Sequence, residues 1–203
     1  MTPALLVVAA YLLGSIPSSY IAGRLVRDID LREHGSGNLG ATNTFRVLGA
    51  KVAAPVMLFD VLKGFAPAGL FPLWDGEGAW GWTLAYGAAA ILGHVFSAYM
   101  RFRGGKGVAT AAGVFLALAP VAVLAAFAVW LVTLKVGRMV SLASILAAVV
   151  LVAVLAFTAE RPEVLGLGVA VAAFVIFSHR ANIRRIARGE EYRFGRRTSE
   201  EAR

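Results

Sequence analysis

Residues 107–134 read GVATAAGVFLALAPVAVLAAFAVWLVTL, a run of 28 residues without a charge and with Pro120 inside it. A helix rises about 1.5 Å per residue and the hydrocarbon core of a bilayer is about 30 Å thick, so one crossing takes about 20 residues. The run is long for one crossing and short for two. How often it crosses decides the topology of everything after it.

The flanking sequence supplies the test. Other apolar runs cover Met1 to Gly23, Val52 to Trp74, Gly78 to Met100, Met139 to Ala159 and Val164 to Ser178. With two crossings and an outer N-terminus, the outer loops hold one basic residue, Arg161, and four acids, Asp75, Glu77, Glu160 and Glu163. That leaves 19 of the 20 Lys and Arg on or near the inner side. With one crossing, Lys135, Arg138 and the eight arginines from Arg180 to Arg203 move outside. Cytosolic loops retain Lys and Arg, so two crossings are predicted. The expected fold is an all-α integral membrane protein with seven transmembrane helices. The N-terminus lies outside and the C-terminus in the cytosol. The fourth and fifth helices are short or tilted and turn near Pro120. A single membrane-embedded domain over residues 1–203 is expected.

Composition agrees. The chain is 59% hydrophobic and 16% charged, with a mean hydropathy of +0.72; soluble domains carry about 25% charged residues. A net charge of +8 reads here as loop retention and calls for no nucleic-acid partner. The absence of cysteine excludes disulfide and thiol chemistry. The first run lacks a basic leader and reads as a retained span. Asp60 and Lys63 sit three apart within the second run, a spacing that lets them pair on a helix.

This topology gathers three polar segments on one membrane face. The first is His34-Gly35-Ser36-Gly37-Asn38-Leu39-Gly40-Ala41-Thr42-Asn43, followed by Arg46. Small residues let backbone N–H groups approach an anion, and Arg46 can fork onto phosphate oxygens. Thr42 or Asn43 is expected to cap a following helix. The second segment is Gly93-His94-Val95-Phe96-Ser97, then Arg101, Arg103 and Gly104-Gly105-Lys106-Gly107 through Thr110. It resembles part of a phosphate loop but lacks the first glycine of the nucleotide-binding pattern, because position 100 is Met. The third is Ser178-His179-Arg180-Ala181-Asn182 onward to Gly189 and Glu191. His179 and Asn182 share a helical face. Taken singly, each has a plain explanation: a Gly-rich turn, a positive-inside loop, a stop-transfer cluster. Together they describe a site for a phosphorylated substrate beside lipid. A phosphate transporter would show paired halves with interrupted helices, and a scaffold would not need the Gly-rich motifs.

These motifs resemble those of the bacterial acyl-phosphate:glycerol-3-phosphate acyltransferases, the PlsY family. The matching stretches are Gly35 to Asn43, Gly93 to Phe96 with Gly104 to Thr110, and His179 to Glu191. Ser97 departs from the pattern, which leads one to expect proline there. The resemblance implies a multi-pass enzyme of the bacterial inner membrane with its site on the cytosolic side. It would transfer a fatty acyl group from acyl phosphate to the 1-hydroxyl of glycerol 3-phosphate, giving lysophosphatidic acid and phosphate in the first acylation of phospholipid synthesis. It needs neither cofactor nor metal and implies a functional link to the enzyme that forms the acyl phosphate. The His-x4-Asp signature of other glycerolipid acyltransferases is absent, since Leu39, Tyr99 and Arg184 stand five residues after the histidines.

By the same resemblance, Ser36, Arg46 and Lys106 bind phosphate, and His179 and Asn182 orient the attacking hydroxyl. Gly37, Asn38, Gly40, Thr42 and Asn43 belong to the substrate site, and Gly104, Gly105 and Gly107 shape the glycerol 3-phosphate pocket. Glu191 holds the C-terminal segment through nearby arginines. The general base stays open between His179 and a substrate phosphate.

Overall fold

The computed structural model describes residues 1–76, 78–159 and 161–194. Glu77, Glu160 and the tail beyond residue 194, which entered the charge count, lie outside the described residues. Within them the chain is all-helical: α1 Pro3–Ser15, α2 Ser18–Arg27, α3 Ala41–Leu48, α4 Ala50–Gly69, α5 Trp80–Val95, α6 Val108–Leu118, α7 Pro120–Gly137, α8 Val140–Thr158, α9 Pro162–Ser178 and α10 Arg180–Ala187.

Prolines set two of the breaks. A proline pushes the residue before it out of the helical region. Ile16 precedes Pro17 with φ −57° and ψ 117°, which splits the first apolar run into α1 and α2. Ala119 precedes Pro120 with φ −152° and ψ 69°, and Pro120 opens α7. The long uncharged run is thus two helices. Among the described residues, five stretches are long and apolar enough to cross a bilayer: Pro3–Arg27, Ala50–Leu73, Trp80–Met100, Pro120–Gly137 and Val140–Thr158. A sixth follows if α9 and α10, bent by 55°, form one span. At 11 residues α6 is about 16 Å long, short of the ~30 Å core.

In lipid there is little hydrophobic drive between helices, so close packing and interhelical hydrogen bonds must hold them. Glycines supply the closeness. A Cβ on Gly64 of α4 would lie 2.0 Å from the Thr110 carbonyl oxygen, and one on Gly113 of α6 would lie 1.9 Å from that of Val61. Further along, a Cβ on Gly69 would lie 3.4 Å from Ala117 Cβ, so α4 and α6 run parallel. Gly14 and Gly93 pack α1 against α5 in the same way. α7 turns sharply at Arg138 and packs antiparallel to α8, with Trp130 Nε1–H donating to Ser144 Oγ. The buried core between them includes Ile91, Val114, Phe115, Leu151, Leu155 and Val175. Leu62, Leu131, Val132 and Phe157 are exposed, as a lipid-facing surface requires.

The two ends of the bundle differ chemically. At one end the N-terminal ammonium donates to the Trp74 carbonyl and Arg161 lies over the Trp80 ring. At the other end lie α2, α3, α10 and the three polar segments. Inside, Asp60 and Lys63 of α4 pair at 2.7 Å and are almost fully buried. Asp60 also accepts from Ser18 Oγ at 2.7 Å, and Lys63 Nζ donates to the Ile16 carbonyl at 2.8 Å. The broken α1–α2 junction therefore supplies partners that offset the cost of these charges.

Candidate active site

The first segment is tied together by one side chain. Asn43 is 1% exposed; its Nδ2 donates to the carbonyls of Leu31 (3.1 Å) and His34 (3.0 Å), and its Oδ1 accepts the Ser36 N–H at 2.8 Å. Capping by Thr42 or Asn43 is not what happens. The cap position of α3 is Gly40 in extended backbone, without a side-chain bond. Asn43 instead turns back, because the loop's buried backbone groups need partners. Ser36 is thereby fixed with its side chain exposed to the cleft.

The second segment doubles back on α5. The N–H of Gly104 donates to the Val95 carbonyl (2.9 Å) and that of Gly105 to the His94 carbonyl (3.1 Å). A Cβ on Gly105 would sit 2.2 Å from His94 Nε2 and 2.4 Å from the Leu39 carbonyl oxygen. Only glycine lets the first two segments touch there. Lys106 follows, one residue before Gly107, the cap residue of α6. Where proline was expected, Ser97 has φ −60°, which suits proline, and its hydroxyl donates to the Ser15 carbonyl. The bend survives the departure.

The third segment starts at the bend between α9 and α10. His179 is 4% exposed and its Nδ1–H donates to the Val175 carbonyl at 2.8 Å. A carbonyl only accepts, so in the neutral ring Nε2 carries the lone pair. Asn182 Oδ1 accepts from Lys106 Nζ, and its Nδ2 donates to Glu191 Oε1 at 2.7 Å. Glu191 also accepts from Ser141 Oγ and from Arg185 Nε, each at 2.8 Å. Burial opposes ionisation of Glu191, but these three donors outweigh it and hold its carboxyl below the usual range. Burial pushes the Lys106 ammonium down to about 8, helped by Arg185, Arg46 and Arg180 and resisted by Glu191.

One cleft of about 1640 Å³ collects these groups, larger than the ~300–1,000 Å³ of ordinary ligand pockets. Ser36, Gly37, Asn38, Gly40, Thr42, Asn43, Arg46, Gly104, Lys106, Gly107, His179, Asn182 and Glu191 all line it. Gly105 does not; it borders a water-sized void behind His94. The rest of its lining is largely apolar, with Met57, Leu116, Phe127, Ala148 and Val171 among the walls. Ser141, Arg185 and Tyr192 also border the cleft; Arg185 is one of the arginines expected beside Glu191, while Ser141 and Tyr192 were not singled out in the sequence. Ser141 had a signal, as a hydroxyl on the first turn of a largely apolar helix. Among the described residues no three His, Asp or Glu side chains cluster as metal ligands.

The sequence pattern of the family described as "Glycerol-3-phosphate acyltransferase" matches residues 4–189. The chain belongs to the PlsY glycerol-3-phosphate acyltransferase family. The glycerol-3-phosphate acyltransferase of Trichlorobacter lovleyi is 47% identical over 189 residues, covering 93% of this chain and 95% of that one. That of Listeria monocytogenes is 47% identical over 190 residues, covering 92% and 94%. A crystal structure of PlsY, an integral membrane glycerol 3-phosphate acyltransferase, in its glycerol 3-phosphate form superposes with a TM-score of 0.89 at 42% identity, covering 95% of this chain and 96% of that one. Its lysophosphatidic acid form gives 0.86 at 41% identity, covering 95% of each. This PlsY-family chain is accordingly an integral membrane acyltransferase of lipid synthesis.

Proposed function

We propose that the chain transfers a fatty acyl group from acyl phosphate to the 1-hydroxyl of glycerol 3-phosphate at the cytosolic face of the bacterial inner membrane. The carrying observation is the single cleft that joins Arg46, Lys106 and the Gly-rich loops to an apolar groove between helices. Such a cleft suits two phosphate-bearing substrates, one of them with an acyl tail. The proposed topology has seven crossings, with α6 as the short fourth and α7 as the fifth. The N-terminus is outside and the cleft inside.

An acyl phosphate is a mixed anhydride, so phosphate leaves readily. The hydroxyl oxygen bonds to the acyl carbon, the carbon–oxygen bond to phosphate breaks, and the hydroxyl proton ends on the departing phosphate. No covalent acyl-enzyme is required. The main tasks are bringing two anions together and aiming one hydroxyl, which positioning and fixed charge accomplish. Ser36, Arg46 and Lys106 hold phosphate. Gly37, Asn38, Gly40, Thr42, Gly104, Gly105 and Gly107 shape the pocket, and Asn43 fixes its first loop. His179 Nε2 accepts from the attacking hydroxyl. Asn182 keeps one N–H and one lone pair for substrate while aiming Lys106. Glu191 holds this third segment in place.

Purified protein supplied with labelled glycerol 3-phosphate tests the donor. Palmitoyl phosphate should give labelled lysophosphatidic acid, and palmitoyl-CoA or acylated carrier protein should give none. Product from palmitoyl-CoA alone would overturn the donor assignment.

A further inference from the structure

Among the described residues, Arg46 is held by a ring and by no acid. Its Cζ lies 4.3 Å from the centroid of the Tyr192 ring. Its Nε is buried with no hydrogen-bond partner, and among the described residues it forms no ion pair. Tyr192 itself is braced on both sides. Glu191 before it is anchored to Ser141, Asn182 and Arg185. Phe194 after it packs on the Tyr192 ring at 6.0 Å and on Phe45 at 4.5 Å, and its N–H donates to the Arg138 carbonyl at 2.8 Å. The C-terminal segment thus crosses from α10 to α3 and lays one aromatic face on the guanidinium.

A carboxylate partner would fix Arg46 equally well but would occupy its donors and compete with phosphate. A ring attracts the guanidinium through its face and leaves the in-plane N–H groups free. We propose that Tyr192 is a positioning residue of this enzyme, holding the Arg46 guanidinium flat so that its free edge meets a substrate phosphate. This rests on the reading of Arg46 as a phosphate-binding residue.

The test is steady-state kinetics on the full-length enzyme, with KM measured separately for glycerol 3-phosphate and palmitoyl phosphate. Tyr192→Phe should keep both KM values within about twofold, because the ring face remains. Tyr192→Leu should raise KM for at least one substrate by about 3- to 30-fold. Phenylalanine bearing one, two or three fluorines at position 192 keeps the shape while weakening the ring's negative face. KM should climb stepwise along that series with the thermal midpoint unchanged, which a purely packing role would not produce. If Tyr192→Leu does not fold, the fluorinated series still decides. In an Arg46→Ala background these substitutions should have no further effect. Unchanged KM along the fluorinated series with Arg46→Ala impaired overturns the role of Tyr192 alone. Wild-type kinetics in Arg46→Ala overturns the phosphate reading and this proposal with it.

Discussion

Lys106 Nζ donates a hydrogen bond to Asn182 Oδ1 across 76 residues of sequence, joining the second polar segment to the third. Asn182 is held in turn by Glu191. The ammonium is therefore aimed by a neutral partner, its charge offset by no direct ion pair among the described residues, with two N–H donors for substrate.

Lys106 should impose a pH limit on substrate binding. Its pKa is lowered to about 8, chiefly by burial. Below pH 8 the cation is present; as pH rises through 8 it is lost, while glycerol 3-phosphate stays a dianion above its second pKa of about 6. KM for glycerol 3-phosphate should begin to rise between pH 7 and 8 and climb steeply above it. Lys106→Arg cannot titrate in this range, so its KM should lack that rise. The substrate-free protein responds with the opposite sign. The unfolded lysine binds more protons between pH 8 and 10.5, so this residue's contribution to stability grows with pH there. The difference in thermal midpoint between wild type and Lys106→Met, followed across that range, measures it. A wild-type KM that stays flat to pH 9.5 would contradict the lowered pKa of Lys106.

Glu191 is the hub of the third segment. Its side chain is 6% exposed and accepts from three donors. Glu191→Ala strands the buried Ser141 hydroxyl and the partly buried Asn182 amide, and leaving a buried donor unsatisfied costs about 1–3 kcal/mol, whereas the half-exposed Arg185 can turn to water. The thermal midpoint in detergent should fall, and transfer should fall with it because Lys106 loses its aiming partner. Glu191→Gln retains some acceptor capacity and should sit between. A Glu191→Ala protein of unchanged stability would contradict the hub.

The helical membrane class and the grouping of three polar segments were legible in the sequence, because uncharged runs and Lys/Arg placement depend on composition alone. Register and partner choice were not. Nothing local distinguishes an Asn43 that caps α3 from one that turns back to Leu31 and His34. The break at Pro17 looked like part of one apolar run. The α4–α6 pairing through Gly64 and Gly113 leaves no periodic trace, since α6 is apolar all round and the charges of α4, Lys51, Asp60 and Lys63, do not mark the face it packs with. Arg185 and Tyr192 stood in a basic tail, and their significance comes from Glu191 and Arg46 meeting them in space.

The topology predicts which single cysteines react in intact cells. The chain has none of its own, so each introduced thiol reports alone. Asp75 is a poor probe because it is 5% exposed. Gly76→Cys and Glu163→Cys, at exposed positions, should label with an impermeant reagent, and Arg138→Cys only after permeabilisation. Labelling at 138 and not at 76 in intact cells would invert the assignment.

Arg46 and Lys106 should each matter through charge geometry. Removing one preorganised donor from a developing anion typically costs about 10²–10³-fold in rate. Arg46→Ala and Lys106→Ala should fall by about that much in folded protein. Arg46→Lys should recover only part, since lysine lacks the planar fork. Full activity in either alanine variant would remove that residue from the site.

His179 offers the sharpest choice between mechanisms. Its Nδ1–H is committed to the Val175 carbonyl, so Nε2 is the free acceptor facing the cleft residues. That arrangement serves a general base and an orienting acceptor equally well. The leaving group separates the two. Phosphate departs with little assistance and brings oxygens that can take the hydroxyl proton, so His179 is expected to orient the hydroxyl and the phosphate to receive the proton. His179→Gln should then keep clearly more activity than His179→Ala, because the amide oxygen can still accept a hydrogen bond. The pH–rate profile of the glutamine variant should keep its wild-type shape. A general base would behave differently, since its loss typically costs about 10²–10⁴-fold and abolishes the associated inflection. The decisive measurement is kcat/KM against pH for wild type, His179→Gln and His179→Ala. A glutamine variant as inactive as alanine, with the inflection gone, would make His179 the base.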